Sequence, residues 1–346
     1  LGNYNLSKGF FKRALFINPT HIGAKESIKA IDSLEPDLVS TSSGSLTAEN
    51  ITVLNDLISD FKYSDVPTLS VCILARNEQR TIERAIRSVK EVADEIIVLD
   101  TGSTDKTVEL AEKAGAKVFQ SEWKQDFAIA RNEIMQYATK DWILMLDADE
   151  ALSEDSVERL KPTLIKCSSA NVYLPRIINL FDKLTSNDQI EHYVVRIIPN
   201  NKGLKYIRSI HEYPVNADKS ILTSENLKGI DIMHYGYSQQ IMKEKNKIER
   251  NRSILDMMVN EEPENPLNYY YLSENYKDED NYEKVLELSN KVVELCKSEN
   301  LKEYSHLLHM SQVNVIQSLI NLERSKDAVK KAEEFKDDIS DRPDYW

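Results

Sequence analysis

From Thr68 onward, short apolar runs alternate with longer amphipathic segments along the chain. The runs LSVCILA, EIIVLD, AKVFQ and WILMLD have the length and the branched residues that are typical of buried strands. The segments between them, EQRTIERAIRSVKEV, TDKTVELAEKAG and FAIARNEIMQYAT, carry apolar residues at helical spacing. Strands joined by single helices predict an α/β domain with a mostly parallel sheet, whose ligands bind at the carboxyl ends of the strands.

Both ends of the chain have a different pattern, similar to that of tetratricopeptide repeats. GNYNLSKGFFKRALFINPTH matches the second helix of such a repeat, and large positions of another repeat are matched by Tyr269, Leu272, Tyr276 and Tyr282. The alternative is that both segments form ordinary amphipathic helices, and this alternative has more weight for the second segment than for the first. EPDLVSTSSGSLTAEN, before the first strand, has the composition of a linker. We therefore predict partial tetratricopeptide-like helices over 1–37, a linker over 38–66, the α/β domain over 67–240 and an all-α tetratricopeptide-like domain over 241–346.

Composition and charge exclude several classes of protein. With 346 residues, of which 41% are hydrophobic and 29% charged, the chain can form two or more packed domains. No run approaches the roughly 20 apolar residues that span a bilayer, and the first residues lack the apolar core of a signal peptide. We therefore expect no membrane span. The formal net charge of −13 argues against broad nucleic-acid binding. Because Cys72, Cys167 and Cys296 suit neither a disulfide framework nor a zinc site, we also expect a cytoplasmic protein.

Polar residues cluster where the predicted strands end. Asn77 follows the first strand, Asp100 ends the second and Asp147 ends the fourth, so three loops should converge at one edge of the sheet. The charge of Asp100, at the end of an apolar strand, requires a partner such as a ribose hydroxyl or a base N–H. Gly102 and Thr104 fit an ordinary strand-to-helix turn, with Thr104 as the helix N-cap, as well as they fit a ligand site.

The fourth strand runs directly into two carboxylates, Asp147 and Asp149. Such a pair, held by a buried strand, can bind a divalent cation through oxygen ligands, and the cation can bind a diphosphate. An Asp-x-Asp triplet alone is a weak signal. A second triplet, formed by Asp278 and Asp280, falls in a polar turn between helices, and we predict that it is solvated.

Four segments, taken in order, resemble the signatures of family 2 glycosyltransferases: VCILARNEQRTIERAIRSV, EIIVLDTGSTDKT, FAIARN and WILMLDADEALS. That family consists of inverting enzymes with the GT-A fold, Rossmann-like, that use nucleotide-sugar donors. The flanking helices, together with SIHEYPV and IMHYGYS, are similar to the bacteriocin-peptide branch of S/O-glycosyltransferases of the sublancin type. Related elements also occur in enzymes that add sugars to lipopolysaccharide cores.

The resemblance implies a donor site for a UDP-sugar. Asp100 would contact the nucleoside, and Asn77 and Glu78 would border the base pocket. Arg131 would approach the diphosphate, with a solvated helix arginine as the alternative. Arg196 would add charge for the diphosphate or pair with a carboxylate.

The resemblance also implies a cation and a catalytic base. Asp147 would lie near the ribose and the metal, and Asp149 would bind Mg²⁺ or Mn²⁺ directly. His234 is a candidate third ligand, although a lone histidine is more often structural. An inverting transfer needs a base to accept the proton of the acceptor. The segment YVVRIIPNNKGLKYIRSIHEYPV predicts a strand pair, that is a hairpin, with a Lys-Gly turn. Near its end lie the two candidate bases, His211 and Glu212, of which we favour Glu212.

The principal hypothesis is a metal-dependent, inverting transfer of a hexose or N-acetylhexosamine from a UDP-sugar to a Ser, Thr or Cys side chain. The acceptor would be a peptide or protein, because helical repeats form grooves that suit extended peptides. One alternative is a polysaccharide or lipopolysaccharide-core glycosyltransferase, and another is a non-catalytic tetratricopeptide scaffold. Repeat surfaces can also support a homodimer.

Overall fold

The computed structural model describes residues 7–11, 14, 22–33, 67–180, 191–200, 202–218, 220–235, 242–298 and 304–339. The predicted linker over 38–66 lies outside the described residues. The chain divides into two compact units, of which the first comprises Leu1–Arg208 and Glu212–Ser238. The second comprises Ser209–His211 and Gln239–Trp346.

The first unit has the alternating strands and helices that the apolar pattern predicts. In chain order its elements are α1 (Ile22–Asp32), β1 (Leu69–Ala75), α2 (Ile82–Val89), β2 (Glu95–Asp100), α3 (Thr107–Ala114), β3 (Lys117–Gln120), α4 (Phe127–Met135), β4 (Trp142–Asp147), β5 (Glu150–Leu152), α5 (Glu154–Leu164), β6 (Asn171–Asn179), β7 (Glu191–Tyr193), β8 (Ile197–Pro199), β9 (Lys205–Ile207), β10 (Tyr213–Val215) and β11 (Thr223–His234). The four predicted strands are therefore β1, β2, β3 and β4.

The main sheet has the strand order β3-β2-β1-β4-β8-β6-β11-β5, with β7 paired to β6. The strands β1, β2, β3, β4, β6 and β11 run in one direction, and β5, β7 and β8 run in the other. This arrangement confirms the predicted α/β class and the mostly parallel sheet. In the registers of β1 with its neighbours, Ala75 is level with Asp100 and Leu74 is level with Asp147. The polar ends of β2 and β4 therefore lie on either side of the end of β1.

Apolar cores cover both faces of this sheet. On one face Val71 and Ile73 of β1 pack with the buried side of α2, including Ile86. On the other face Cys72 packs with residues that include Ile134 of α4. Because β1, β2 and β4 are buried on both sides, the sequence of each is a mostly apolar run that gives way to polar residues at the edge of the sheet.

Two local predictions are wrong. No hairpin forms at Lys202-Gly203, because β8 pairs with β4 and β6, whereas β9 pairs antiparallel with β10 in a separate small sheet. Thr104 does not cap α3, which begins at Thr107. Instead the Asp105 carboxylate accepts the Thr107 backbone N–H, with a distance of 2.9 Å from Thr107 N to Asp105 Oδ1. The strand pattern does not encode which neighbour a strand takes, and either Thr104 or Asp105 suits a helix start.

The second unit is helical, which confirms the predicted all-α character of this end of the chain. Its helices are α6 (Met242–Glu261), α7 (Pro266–Lys277), α8 (Tyr282–Ser298), α9 (Ser305–Asn321) and α10 (Ser325–Ile339). Each helix packs against the next one in sequence. Asp278 and Asp280 are exposed in the turn between α7 and α8, as predicted. Among the described helices, none combines the length and hydropathy needed to cross a membrane.

Candidate active site

The loops that follow β1 and β2 are held together by Asn77 and its neighbours. Asn77 has a positive φ of 56°, and its backbone N–H donates to Ser103 Oγ at 2.7 Å. Its side-chain Oδ1 accepts the Thr104 backbone N–H at 2.8 Å. The Glu78 backbone N–H donates to Thr107 Oγ1 at 2.7 Å. Asn77 and Glu78 thus fix the shape of the loops at this edge, and their contact with a base stays a prediction.

Asp100 is buried at the end of β2, with 2% of its surface exposed. Its Oδ1 atom accepts the backbone N–H groups of Gly102 and Ser103 at 3.1 and 2.9 Å. Its Oδ2 atom has no hydrogen-bond partner in the described part of the chain. A buried carboxylate oxygen without a partner is costly, so Oδ2 is suited to accept a hydrogen bond from a ligand.

Arg131 joins residues that are far apart in sequence. It projects from α4 and is buried, which rules out the alternative of a solvated helix arginine. Its Nε atom donates to Glu212 Oε1 at 2.6 Å, and its Nη2 atom donates to Asp147 Oδ1 at 3.1 Å. The predicted diphosphate arginine, the favoured base and the first aspartate of the triplet are therefore in direct contact.

Arg196 closes the same cluster from the segment between β7 and β8. Its Nη2 atom contacts Asp147 Oδ2 and Glu150 Oε1, each at 2.6 Å. Glu150 is 3% exposed, and its other oxygen accepts the Asp147 backbone N–H at 2.9 Å. Of the two roles predicted for Arg196, the pairing with carboxylates is the one observed. An arginine contacts each oxygen of Asp147, and its role as a metal ligand stays a prediction.

The charges in this cluster set its protonation. Burial acts to raise the pKa of Asp147, but Arg196 and Arg131 outweigh it and hold that pKa well below its usual value. For Glu150, burial dominates and raises the pKa, although Arg196 opposes the shift. Burial also raises the pKa of Tyr206 to about 12, while Arg131 and Arg196 act to lower it. Asp147 is therefore ionised and Tyr206 keeps its proton at neutral pH.

Asp149 and His234 form a second, neighbouring group. The distance from His234 Nε2 to Asp149 Oδ2 is 3.4 Å. The two segments are linked through the backbone, because His234 pairs with Glu150 in the β11–β5 ladder and the Tyr235 N–H donates to Asp149 O at 2.9 Å. The described residues contain no group of three or more His, Cys, Asp or Glu side chains suited to a metal ion. The structure therefore brings together Asp149 and His234 as a pair of potential ligands rather than a complete protein ligand set.

His211 is the other candidate base. It belongs to the second unit, where its ring stacks on that of Tyr271 with a centroid separation of 3.8 Å. Glu212 belongs to the first unit together with Arg131. The contact of Glu212 with Arg131 favours Glu212 as the base, and the assignment itself stays a prediction.

The site contains several buried polar atoms without a partner among the described residues. Besides Asp100 Oδ2, they include Arg131 Nη1, Arg196 Nε and the Tyr206 hydroxyl. Three of these four are donors, so the arginine cluster is suited to anionic oxygens such as those of a diphosphate. Asp149 and His234 have the oxygen and nitrogen donors that Mn²⁺ accepts, so this pair fits a divalent cation.

Sequence reasoning missed two members of this cluster, Glu150 and Tyr206. Glu150 directly follows the Asp-x-Asp triplet and begins a short apolar run, which is an available signal because a buried carboxylate needs a partner. Tyr206 has no comparable signal. Its ring lies 5.6 Å from the Arg131 guanidinium only because β9 reaches α4 in the folded chain.

The sequence is similar to those of known glycosyltransferases. Residues 70–217 match the family model described as Glycosyl transferase family 2. The SPbeta prophage-derived glycosyltransferase SunS of Bacillus subtilis is 28% identical to the chain over 277 residues, which cover 79% of this chain and 63% of that protein. A TPR repeat-containing protein of Synechococcus elongatus is 32% identical over 203 residues, which cover 57% of this chain and 49% of that protein. The chain thus spans less than two thirds of the length of these two curated relatives.

Among solved structures, one similar chain is glucosyl-3-phosphoglycerate synthase from Mycobacterium tuberculosis in complex with Mg²⁺ and uridine-diphosphate. It is 26% identical and has a TM-score of 0.28. The match covers 34% of this chain and 44% of that chain.

Proposed function

We propose, from the glycosyl transferase family 2 domain that residues 70–217 form, that this chain is an inverting glycosyltransferase. It transfers a hexose or N-acetylhexosamine from a UDP-sugar to a Ser, Thr or Cys side chain of a peptide or protein. The single observation that carries the proposal is the buried cluster at the sheet edge, in which Arg131 contacts both Glu212 and Asp147 beside the pair of Asp149 and His234.

The donor binds across the ends of β1, β2 and β4. Asp100 Oδ2, which is buried without a partner among the described residues, accepts a hydrogen bond from the nucleoside. Arg131 Nη1 and Arg196 Nε are also buried without a partner among the described residues, and they donate to diphosphate oxygens. These contacts complete the hydrogen bonding of groups that folding alone leaves unsatisfied.

Asp149 and His234 would hold a divalent cation, Mg²⁺ or Mn²⁺, beside the diphosphate site. When bound, the cation stabilises the negative charge that develops on the leaving diphosphate. Arg131 and Arg196 contribute to the same stabilisation through fixed positive charge. The net charge of −13 makes such a local cationic site necessary for an anionic donor.

Glu212 is the base. The acceptor oxygen or sulfur attacks the anomeric carbon as the bond from that carbon to the diphosphate oxygen breaks, and UDP leaves with the bonding electrons. The proton of the acceptor passes to the Glu212 carboxylate. Because Arg131 contacts Oε1 of that carboxylate, Oε2 is the oxygen suited to take the proton.

A peptide or protein acceptor is supported by the sequence similarity to SunS and by the packed helices of the second unit. Consecutive antiparallel helices of the tetratricopeptide kind offer extended surfaces for peptide binding.

The test is calorimetric titration of the chain with UDP, with and without Mn²⁺. Asp149→Ala is compared with Asp278→Ala, because Asp278 is an exposed member of the other Asp-x-Asp triplet. We expect metal-dependent UDP binding that Asp149→Ala abolishes and Asp278→Ala preserves. Transfer from UDP-sugars to Ser, Thr and Cys peptides is then measured beside transfer to glycan acceptors. UDP binding with transfer only to glycans would refute the peptide acceptor, and absence of binding to any nucleotide would refute the enzyme.

A further inference from the structure

Asn179 ends β6 and faces His234 from the neighbouring strand. The two residues are opposite each other in the β6–β11 ladder, and Asn179 is 4% exposed. The distance from His234 Nδ1 to Asn179 Oδ1 is 2.8 Å. His234 thus makes contacts through both ring nitrogens, with Asn179 on one side and Asp149 on the other.

A contact of the Asn179 amide nitrogen, Nδ2, also supports the orientation of this side chain. Asn179 Nδ2 lies 3.5 Å from Nδ1 of His192 on β7. An amide nitrogen can only donate and an amide oxygen can only accept. With Nδ2 directed to His192, Oδ1 is left to accept from His234, so Nδ1 of His234 carries the proton.

The tautomer decides what the other side of the ring can do. A neutral imidazole with a proton on Nδ1 has a lone pair on Nε2. With Nδ1 engaged by Asn179, Nε2 is the ring nitrogen on the side of the Asp149 carboxylate, 3.4 Å from Oδ2, and it is the atom through which His234 can bind a cation. The opposite tautomer would place an N–H against Asp149 and would turn the pair into an ordinary hydrogen bond.

We propose that Asn179 is a positioning residue for the cation: it fixes His234 in the tautomer that turns Nε2 towards Asp149, ready to bind a divalent ion. The inference rests on the proposed function, because it assigns the cation to Asp149 and His234. Residues that orient a histidine ligand from behind commonly change metal affinity by about 10- to 100-fold.

The purely structural explanation is that Asn179 only satisfies hydrogen bonds inside the sheet. A second buried asparagine of the first unit serves as a matched control that tests this explanation. Asn200 is also a buried asparagine in the first unit, and its side chain donates to the carbonyl oxygens of Ala138 and Lys140 at 3.0 and 2.8 Å. Asn200→Leu therefore removes a buried amide of similar structural importance without touching His234.

The experiment measures Mn²⁺ affinity of the full chain with saturating UDP, by electron paramagnetic resonance of free Mn²⁺. Asn179→Leu removes the acceptor and should weaken Mn²⁺ binding by about 10- to 100-fold. Asn179→Asp keeps an acceptor behind His234 and should stay within about threefold of the parent. Asn200→Leu should lower thermal stability and leave Mn²⁺ affinity unchanged. Parent-like affinity in Asn179→Leu would overturn the inference.

A second measurement does not depend on the Asn179 variants. Long-range ¹H–¹⁵N correlation spectra of the histidine-labelled, metal-free chain report which nitrogen of His234 is protonated, with His234→Gln used for assignment. A proton on Nδ1 supports the inference, and a neutral ring that carries its proton on Nε2 alone overturns it. Failure of the proposed function gives a different result, because the parent would then bind no Mn²⁺ in the presence of UDP, like Asp149→Ala.

Discussion

Arg131 and Glu212 are separated by 81 positions in the sequence, and a hydrogen bond of 2.6 Å joins Arg131 Nε to Glu212 Oε1. The same guanidinium contacts Asp147 and has one nitrogen, Nη1, without a partner among the described residues. Arg131 therefore connects the proposed base with the proposed diphosphate site. A shift of either group is transmitted to the other through one rigid planar side chain.

The first prediction concerns this geometry. Arg131→Lys keeps the positive charge but cannot contact Glu212 and Asp147 while also donating to a ligand. We expect turnover with UDP-sugar and peptide to fall about a hundredfold or more, with weaker UDP binding. Arg87→Lys is the control, because Arg87 is exposed on α2 and pairs only with Glu83 in the described contacts. Parent-like turnover in Arg131→Lys would show that the fork geometry is not needed.

The second prediction separates binding from folding at Asp100. Asp100→Asn retains an oxygen for the Gly102 and Ser103 N–H groups but replaces Oδ2 with a donor. UDP affinity should fall by about tenfold or more, because a charged hydrogen bond to the nucleoside is lost. The melting temperature should stay close to that of the parent. Calorimetry and thermal unfolding are measured side by side, with the exposed Asp155→Asn as control. A large loss of stability with unchanged affinity would assign Asp100 to the turn alone.

The third prediction concerns Glu150, whose carboxylate contacts Arg196 and the Asp147 backbone. Glu150→Gln keeps the size of the side chain and removes one of the two buried negative charges beside Arg196. Because burial already disfavours this charge and Arg196 keeps Asp147 as a partner, the main loss is one hydrogen bond to Arg196, and the free energy of unfolding should fall by about 1 to 2 kcal/mol. Urea unfolding checks this value against Glu158→Gln, an exposed neighbour on α5. Equal stability of the two variants would contradict a structural role for Glu150.

The fourth prediction is a pH dependence far from the site. Burial acts to raise the pKa of Glu95, but hydrogen bonds from Ser70 and Thr139 outweigh it and hold the pKa below its usual value. A depressed folded pKa stabilises the fold above the unfolded pKa, and this contribution is lost as the pH falls through the folded pKa.

Glu95→Gln should therefore be less stable than the parent by about 1 to 3 kcal/mol at pH 7. The difference should shrink as the pH falls below about 4.3, the usual value for an unfolded glutamate. Urea unfolding from pH 7 to pH 3 measures it, with the exposed Glu91→Gln as reference. A difference that grows towards acid pH would refute the ionic account of Glu95.

The sequence predicted β1 to β4 and the polar residues at their ends because both follow from local composition. A parallel strand that is buried on both faces must be apolar throughout, and the first charge marks where the sheet meets solvent. Asp100 and Asp147 are such charges. Their proximity then follows from parallel pairing on either side of β1.

Contacts between residues that are far apart in the sequence of the first unit could not be predicted in the same way. The sequence left a solvated helix position open as the alternative for Arg131, because the pairing of β9 with β10 is not encoded in strand periodicity. The Asn179–His234 contact depends on the register of β6 against β11, which a one-residue slip would abolish. Residue types were therefore predictable, whereas their partners required the fold.

The β11 strand meets β6 in two stretches, and the register shifts between Asn226 and Asp231, where Gly229 has a φ of +80°. An insertion or deletion close to Gly229 can be absorbed by this irregularity, because an already unpaired segment has no ladder to misalign. A change of one residue beyond Asp231 would instead turn His234 to the opposite face of the sheet. In an alignment of relatives, we therefore expect insertions and deletions in the segment before Asp231 and none from Asp231 to His234.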